Sequence, residues 1–438
     1  MKVKNKIAVL GLWHLGLVEA VCFAHLDKEV VGYDEDREKI KLLNSGQLPI
    51  YEPNLEKYLQ ENLRKKRLRF TSRLEEVKDS NIVIIAVDTP LNEQDQVNLK
   101  PIFNLVKNLE QKITQKTIVI ISSQVPIGTS EKLEAILNRN KKNIKVAYIP
   151  ENLRLGKAIE RFFKPSMIVI GTAEIATFKE IEKLYQKIKA PKIFTKVKTA
   201  EFVKHSINTF LANSISWANE LGNLADLVGA DFWAVAKIIK NDERIGGFAR
   251  IFPGLGFAGG TLARDLKILQ KLGKKTNYQT TMVDAILNVN ERQKKWVVNT
   301  LRRIYGSKLK RKKIGILGLT YTPNTSTLRR SLSVETIKKL SQLKVNVQAF
   351  DPQANPQEIK KSPKIKTVNS WQELAKDADA LVLMTQWPDF LNLPWLKIKN
   401  LMHQPLILDA QNFLPDEILK AKGFQYIGLG RGDHYEKI

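Results

Sequence analysis

The stretch KIAVLGLWHLG at residues 6–16, continued by LVEAVCFAHL at 17–26 and EVVGYD at 29–34, decides the fold. Lys6–Leu10 is a short aliphatic run of the kind that pleats into a buried strand. Gly11 then allows a tight turn, Gly16 lets a helix pack close to that strand, and the residues to about Leu26 carry a helical pattern. A second strand at Glu29–Tyr33 ends on Asp34. Strand, glycine loop, helix, strand and acid form the opening unit of a dinucleotide-binding fold. The helix N-terminus can receive a pyrophosphate. Asp34 can accept hydrogen bonds from a ribose hydroxyl, which favours NAD over NADP. The middle glycine of G-x-G-x-x-G is Trp13 here, so bulk stands where backbone should meet phosphate.

Outward from this unit the alternation continues. Strands are expected at Ile82–Val87, Thr117–Ser122, Lys145–Ile149 and Met167–Gly171, with helical patterns between several of them, which argues a parallel sheet covered on both faces. From about Thr199 to Leu227 apolar residues, among them Phe202, Ile207, Phe210 and Leu224, recur at threes and fours, and a second helical region spans Leu262 to Tyr305. Between them lies the glycine-rich FPGLGFAGGT, residues 252–261. After the basic KLKRKK at 308–313 comes Ile314–Leu317, Gly318, a loop, a helix through Leu340 and a strand Val345–Phe350 ending on Asp351. The chain has repeated its opening unit, and strands at Ala380–Met384 and Leu406–Leu408 extend it. The expected α/β architecture is two Rossmann-like doubly wound domains, 1–195 and 306–438, joined by a central all-helical domain, 196–305. The C-terminal copy lacks a full glycine motif and need not bind a dinucleotide.

Bulk properties agree with this reading. A chain of 438 residues exceeds one core, and no apolar run is long enough to cross a membrane. The N-terminal MKVKNKIAVLGL superficially resembles a signal peptide, but the run breaks at once into the glycine loop and lacks a small-residue cleavage site. A cytoplasmic location is expected. The single cysteine, Cys22, excludes an intramolecular disulfide and a multi-cysteine metal site, and its helical spacing suits packing. The five histidines, His14, His25, His205, His403 and His434, show no metal-ligand spacing, so no metal is expected. A net charge of +26 suits an anionic partner, but the lysines are scattered along ordinary helices rather than clustered with aromatics. Nucleic acid is therefore not expected as a partner.

Several separated motifs resemble those of the UDP-glucose/GDP-mannose dehydrogenase family. GLWHLGL resembles its GLGYVGL, VGYDEDREK its GYD-x-x-x-x-K, and LPIYEPNLEKYL its PIYEPGL segment. Thr89-Pro90 in AVDTPLN, SSQVPIGT and PENLRLGKAIERFFKPSMIVIG have counterparts, as do AEFVKHSINTFLANSISWANEL, ERIGG and GLGFAGGTLARD. ILGLTYTPNTSTLRRS, FDP, LMTQW, LDAQNFL and GFQYIGLGRG complete the match in order to the C-terminal end. The resemblance implies an NAD domain, central helices that form a homodimer, and a C-terminal domain holding the nucleotide of a nucleotide-sugar. In such enzymes two hydrides leave the sugar's primary alcohol, and a cysteine thiolate traps the intermediate aldehyde as a precursor of the thioester that water hydrolyses.

Carried over residue by residue, the resemblance implies that Lys204 and Asn208, one helical turn apart, hold the oxyanion and the water. Asp265 would move protons, and Glu151 matches the first glutamate of PEFLREG. Gly11, Gly16, Asp34, Lys39, Thr89, Gln124 and Arg329 would line the cofactor. Leu153, Arg154, Arg244, Phe257 and Gly259 would meet the substrate, Arg244 from the neighbouring subunit. The departures gather on the substrate pocket. Thr261 stands for the nucleophilic cysteine, Leu155 for the second glutamate, Asn152 for a phenylalanine, Gln124 for a threonine and Thr322 for a lysine. Ser326 and Thr327 stand for two aspartates, and Arg330 for a glutamate. A threonine hydroxyl is a far poorer nucleophile than a thiol, whose ordinary pKa of ~8.5 leaves some thiolate at neutral pH. The expected activity is NAD-dependent oxidation of the C6 alcohol of a UDP-glucose-type sugar, slowed or stopped at the aldehyde. The alternative is an inactive nucleotide-sugar or NAD binder with a regulatory role, which Trp13 favours.

Overall fold

A computed structural model describes residues 6–90, 97–140, 142–151, 153–258, 260–362 and 365–432. The chain packs as two units, Met1–Ile207 and Asn208–Ile438. In the first, β1 (Lys6–Leu10), β2 (Glu29–Tyr33), β3 (Leu68–Thr71), β4 (Ile82–Ile85), β5 (Ile118–Ile121), β6 (Lys145–Tyr148), β7 (Ile168–Thr172) and β8 (Lys192–Thr195) form one sheet in the order β3-β2-β1-β4-β5-β6-β7-β8. Both β4 and β5 read Ile-Val-Ile-Ile. Such unbroken aliphatic runs belong to strands covered on both faces, and two apolar cores flank this sheet. The strand order reverses between β1 and β4, where ligands of open α/β sheets bind.

The helix His14–His25 lies inside one of those cores, buried at all positions from Gly16 to Ala24. It shows little amphipathic pattern because its outer face is also covered, Phe23 meeting Phe162 edge-on at 5.1 Å. Cys22 sits on this helix with no exposed surface. One expectation is corrected: β7 pairs antiparallel to β6, through Ala147 with Thr172 and Tyr148 with Gly171, so the sheet is mixed. Between them runs only the short helix Ala158–Phe163, and the chain turns back along the edge instead of crossing over. Strands β3 and β8 escaped the sequence reading because LRFT and KIFT are short and half polar.

The helix Val197–Leu227 is 31 residues long, starting in the first unit and ending in the second. The second unit adds Phe232–Ile239, then Leu262–Lys275, Thr281–Gln293 and Trp296–Tyr305, so the expected second helical region is three helices. Its sheet, β9 (Lys313–Leu317), β10 (Asn346–Phe350), β11 (Ala380–Leu383), β12 (Leu406–Asp409) and β13 (Gln425–Gly428), is parallel in the order β10-β9-β11-β12-β13. Among the described residues no helix is long and apolar enough to cross a membrane.

The internal repeat extends to individual hydrogen bonds. Gly11 has φ +92° and Gly318 φ +94°, values that side-chain-bearing residues seldom adopt. The Gly11 amide donates to the Tyr33 carbonyl at 2.9 Å, and Gly318 to Phe350 at 2.8 Å. Leu12 then donates to Asp34 Oδ2 at 2.8 Å, and Leu319 to Asp351 Oδ2 at 2.6 Å. The copies part at the acid. Asp351 Oδ2 also accepts from Thr320 N and Oγ1 and from the Trp387 indole at 3.0–3.2 Å, so the protein's own donors fill it.

Candidate active site

At the β1–β4 reversal the glycine loop is held close. A Cβ on Gly16 would stand 1.9 Å from the Gly11 carbonyl oxygen, and one on Gly11 2.8 Å from Val87 Cα. Asp34, at the end of β2, accepts from Leu12 N and Lys39 Nζ on Oδ2, both at 2.8 Å, and from Asp36 N on Oδ1 at 3.1 Å. A carboxylate offers about four acceptor positions, so three donors leave room for a ribose hydroxyl. Gly11, Gly16, Asp34 and Lys39 are thus brought together in a form that fits a dinucleotide. Trp13 has φ −77°, so its backbone needs no glycine; only its side chain, edge-on to His14 at 6.1 Å, departs from the motif. Thr89 is buried and donates to the Gln124 carbonyl at 2.7 Å, joining the ends of β4 and β5.

The segment after β6 gathers the other candidates of the first unit. Lys204 is 5 % exposed and its Nζ donates to the Glu151 carbonyl. The Glu151 carboxylate accepts the Leu153 amide, while Arg154 is exposed. Asn152 lies outside the described residues. Two buried glutamates beside these groups were not singled out by sequence. Glu201 accepts from Gly128 N, Ser130 N and Ser130 Oγ at 2.5–2.9 Å and so fixes the VPIGT turn. Glu19 accepts from Ser122 Oγ at 2.8 Å. Burial pushes its carboxyl up to about 8, against the Ser122 bond and with a smaller contribution from the Glu151 charge. The signal for Glu19 was a glutamate in an otherwise apolar helical run, whereas Glu201 lies among lysines and polar residues and gave none.

In the second unit Asn208, 5 % exposed, donates from Nδ2 to Asp265 Oδ2, and Asp265 has no exposed surface. Asp265 lies one turn into the helix Leu262–Lys275, its amide bonded to the Thr261 carbonyl at 3.2 Å. Thr261 is the N-cap of that helix, and its hydroxyl makes no capping bond. The Gly260 carbonyl next to it accepts from Arg264 Nε and Nη2 at 3.0 and 2.8 Å and from Arg330 Nη1 at 2.9 Å. Two guanidiniums therefore lock the peptide that leads into Thr261. Arg330 reaches it from a left-handed backbone conformation, φ +61°. Phe257 is buried and exchanges two hydrogen bonds with the Asn290 side chain. Arg244 is exposed and forms a bidentate pair with Asp242, and Arg329 is exposed. Gly259 lies outside the described residues. Among the described residues no group of His, Cys, Asp and Glu is arranged to hold a metal ion.

Three family models match the chain in succession. The UDP-glucose/GDP-mannose dehydrogenase family NAD binding domain matches residues 5–189, the central domain 198–292 and the UDP binding domain 315–416. The chain is 33% identical over 434 residues to the UDP-glucose 6-dehydrogenase TuaD of Bacillus subtilis, covering 98% of this chain and 93% of that one. Its structure resembles a UDP-glucose dehydrogenase from Pyrobaculum islandicum, TM-score 0.88 at 31% identity, covering 99% of each chain. It also resembles a UDP-D-ManNAc dehydrogenase from Pyrococcus horikoshii, TM-score 0.87 at 29% identity, covering 98% of this chain and 100% of that one.

Proposed function

The chain belongs to the UDP-glucose/GDP-mannose dehydrogenase family, and on that premise we propose that it oxidises the C6 alcohol of a UDP-hexose with NAD and releases mainly the aldehyde. NAD, when bound, supplies the acceptor for the hydride leaving C6. Gly11 and Gly16 give its pyrophosphate a close approach to the helix N-terminus, and Asp34 holds a ribose hydroxyl. The observation that carries the proposal is the buried Asn208–Asp265 pair one turn beyond Thr261. It retains a proton-accepting carboxylate and an amide donor where a hydroxyl replaces the thiol. Lys204 and Asn208 would orient the reacting oxygen, and Asp265 would take its proton. Glu151 would hold the Leu153–Arg154 turn against the sugar. Thr261 fails to trap the aldehyde because an alcohol ionises far less readily than a thiol.

The functional division is 1–195 for NAD, 196–305 for the helices and 306–438 for the nucleotide. A homodimer through the central helices is part of the same reading. Phe202, Phe210, Trp217 and Leu224, at intervals of seven or eight along the 31-residue helix, are 40–70 % exposed, as an unpaired helical seam would be. Arg244 would then serve the neighbouring subunit, and Phe257 and Gly259 the sugar. The reading also sets the enzyme in the cytoplasm, with NAD and nucleotide-sugars.

The test is NADH formed per nucleotide-sugar consumed, across UDP-glucose, UDP-N-acetylmannosamine and related sugars. One NADH per sugar is expected. Two would overturn the aldehyde product. Binding of both ligands without NADH would favour the regulatory reading, for which Trp13 is the supporting observation.

A further inference from the structure

Two segments that the proposed function uses hang on a single buried carboxylate in the first unit. Glu52 is 2 % exposed. Its Oε1 accepts the Ala158 amide at 2.8 Å and its Oε2 the Gly156 amide at 2.9 Å, across 106 and 104 residues of chain. The same Oε2 lies 2.8 Å from Nε2 of His14, whose ring is also buried. His14 is the first residue of the helix that follows the glycine loop. Gly156 and Ala158 follow Leu153 and Arg154 across a turn closed by the Lys157 amide on the Arg154 carbonyl at 2.9 Å.

One oxygen thus serves a donor from the cofactor loop and a donor from the substrate segment. A ligand that orders the start of the helix fixes the His14 ring against Glu52. The carboxylate, held from that side, then holds the Gly156 and Ala158 amides with less freedom left to lose. A second ligand meeting the ordered segment pays a smaller ordering cost, which is positive coupling and acts equally in both directions. Histidine matters here because its ring presents an N–H to Glu52 from inside the unit, at the place of the tyrosine in the family's GLGYVGL.

We propose that His14 and Glu52 are positioning residues that make dinucleotide binding and nucleotide-sugar binding cooperative, by joining the glycine loop to residues 153–158. The proposal rests on the function given above. It is tested with the full-length protein by titrating UDP-glucose calorimetrically with and without saturating NAD, in the wild type, His14→Phe, His14→Gln and Glu52→Gln. NAD should tighten UDP-glucose by roughly 5- to 10-fold in the wild type, within the usual range of coupling between sites, and by under ~2-fold in His14→Phe. His14→Gln, which keeps an N–H donor, should recover part of the coupling. Hydrogen exchange at the Gly156 and Ala158 amides should slow on adding NAD to the wild type but not to His14→Phe. If Glu52→Gln does not fold, the His14 variants still decide the matter. Wild-type coupling in a His14→Phe protein that binds both ligands would overturn this proposal alone, as would both ligands binding the wild type independently. A wild-type protein that does not bind NAD would overturn the function above and this proposal with it.

Discussion

In the function proposed above, Thr261 is the residue on which the product turns. It caps a helix start, where the partial positive charge of the amides favours an anion, and the peptide before it is locked by Arg264 and Arg330. Thr261→Cys should therefore generate a thiol that ionises readily, and raise NADH per sugar from about one toward two; an unchanged stoichiometry would count against the trapping account. Glu19 makes a second prediction. Its folded carboxyl titrates at about 8 against an ordinary 4.5, so the fold binds this proton more tightly than the unfolded chain does. The stability it contributes is full below pH 4.5 and is lost as pH rises through about 8. Glu19→Gln, which cannot ionise, should raise Tm relative to the wild type, little at pH 5 and most at pH 9. A Tm difference that did not grow with pH would count against this account.

At the scale of elements, the strand–loop–helix unit was legible because its signals are local. Gly11 must turn, Gly16 must not collide, and Asp34 must end a strand. Gly16→Ala would force a Cβ onto the Gly11 carbonyl at 1.9 Å, and should weaken NAD binding at least ~10-fold by fluorescence titration, the loss of about 1.4 kcal/mol. The 31-residue helix was also legible from its spacing, and its exposed seam has its own test. For the homodimer proposed above, Phe210→Glu or Trp217→Glu should shift sedimentation from dimer to monomer while leaving helix content unchanged; a wild type that sediments as a monomer would overturn that part of the proposal. Contacts that join distant segments were not legible. Glu52 gathers donors 38, 104 and 106 residues away, and nothing local to its YEP sequence says so. Likewise Asp351 looks like Asp34 in sequence, and only the fold reveals the Trp387 indole and Thr320 occupying it.

For the molecule as a whole, the net charge of +26 is a field that any nucleotide-sugar and dinucleotide must enter. Attraction over such a surface is screened beyond ~10 Å at 0.1 M salt. KM for the nucleotide-sugar should rise a few-fold between low and moderate ionic strength while kcat changes little; a salt effect confined to kcat would point elsewhere. The architecture itself was legible as an alternation repeated twice, whereas the antiparallel β7, which lies between β6 and β8, was not, since a strand's direction depends on how the chain returns to the sheet. A last consequence follows from Cys22. It is the only cysteine of the chain, has no exposed surface, and burial holds its thiol well above the ordinary range. Oxidants and alkylating reagents attack thiolates that they can reach. With threonine at 261 and its one sulfhydryl sealed beneath the first sheet, this protein should keep its activity in peroxide or iodoacetamide, under conditions that silence a dehydrogenase working through an open thiolate.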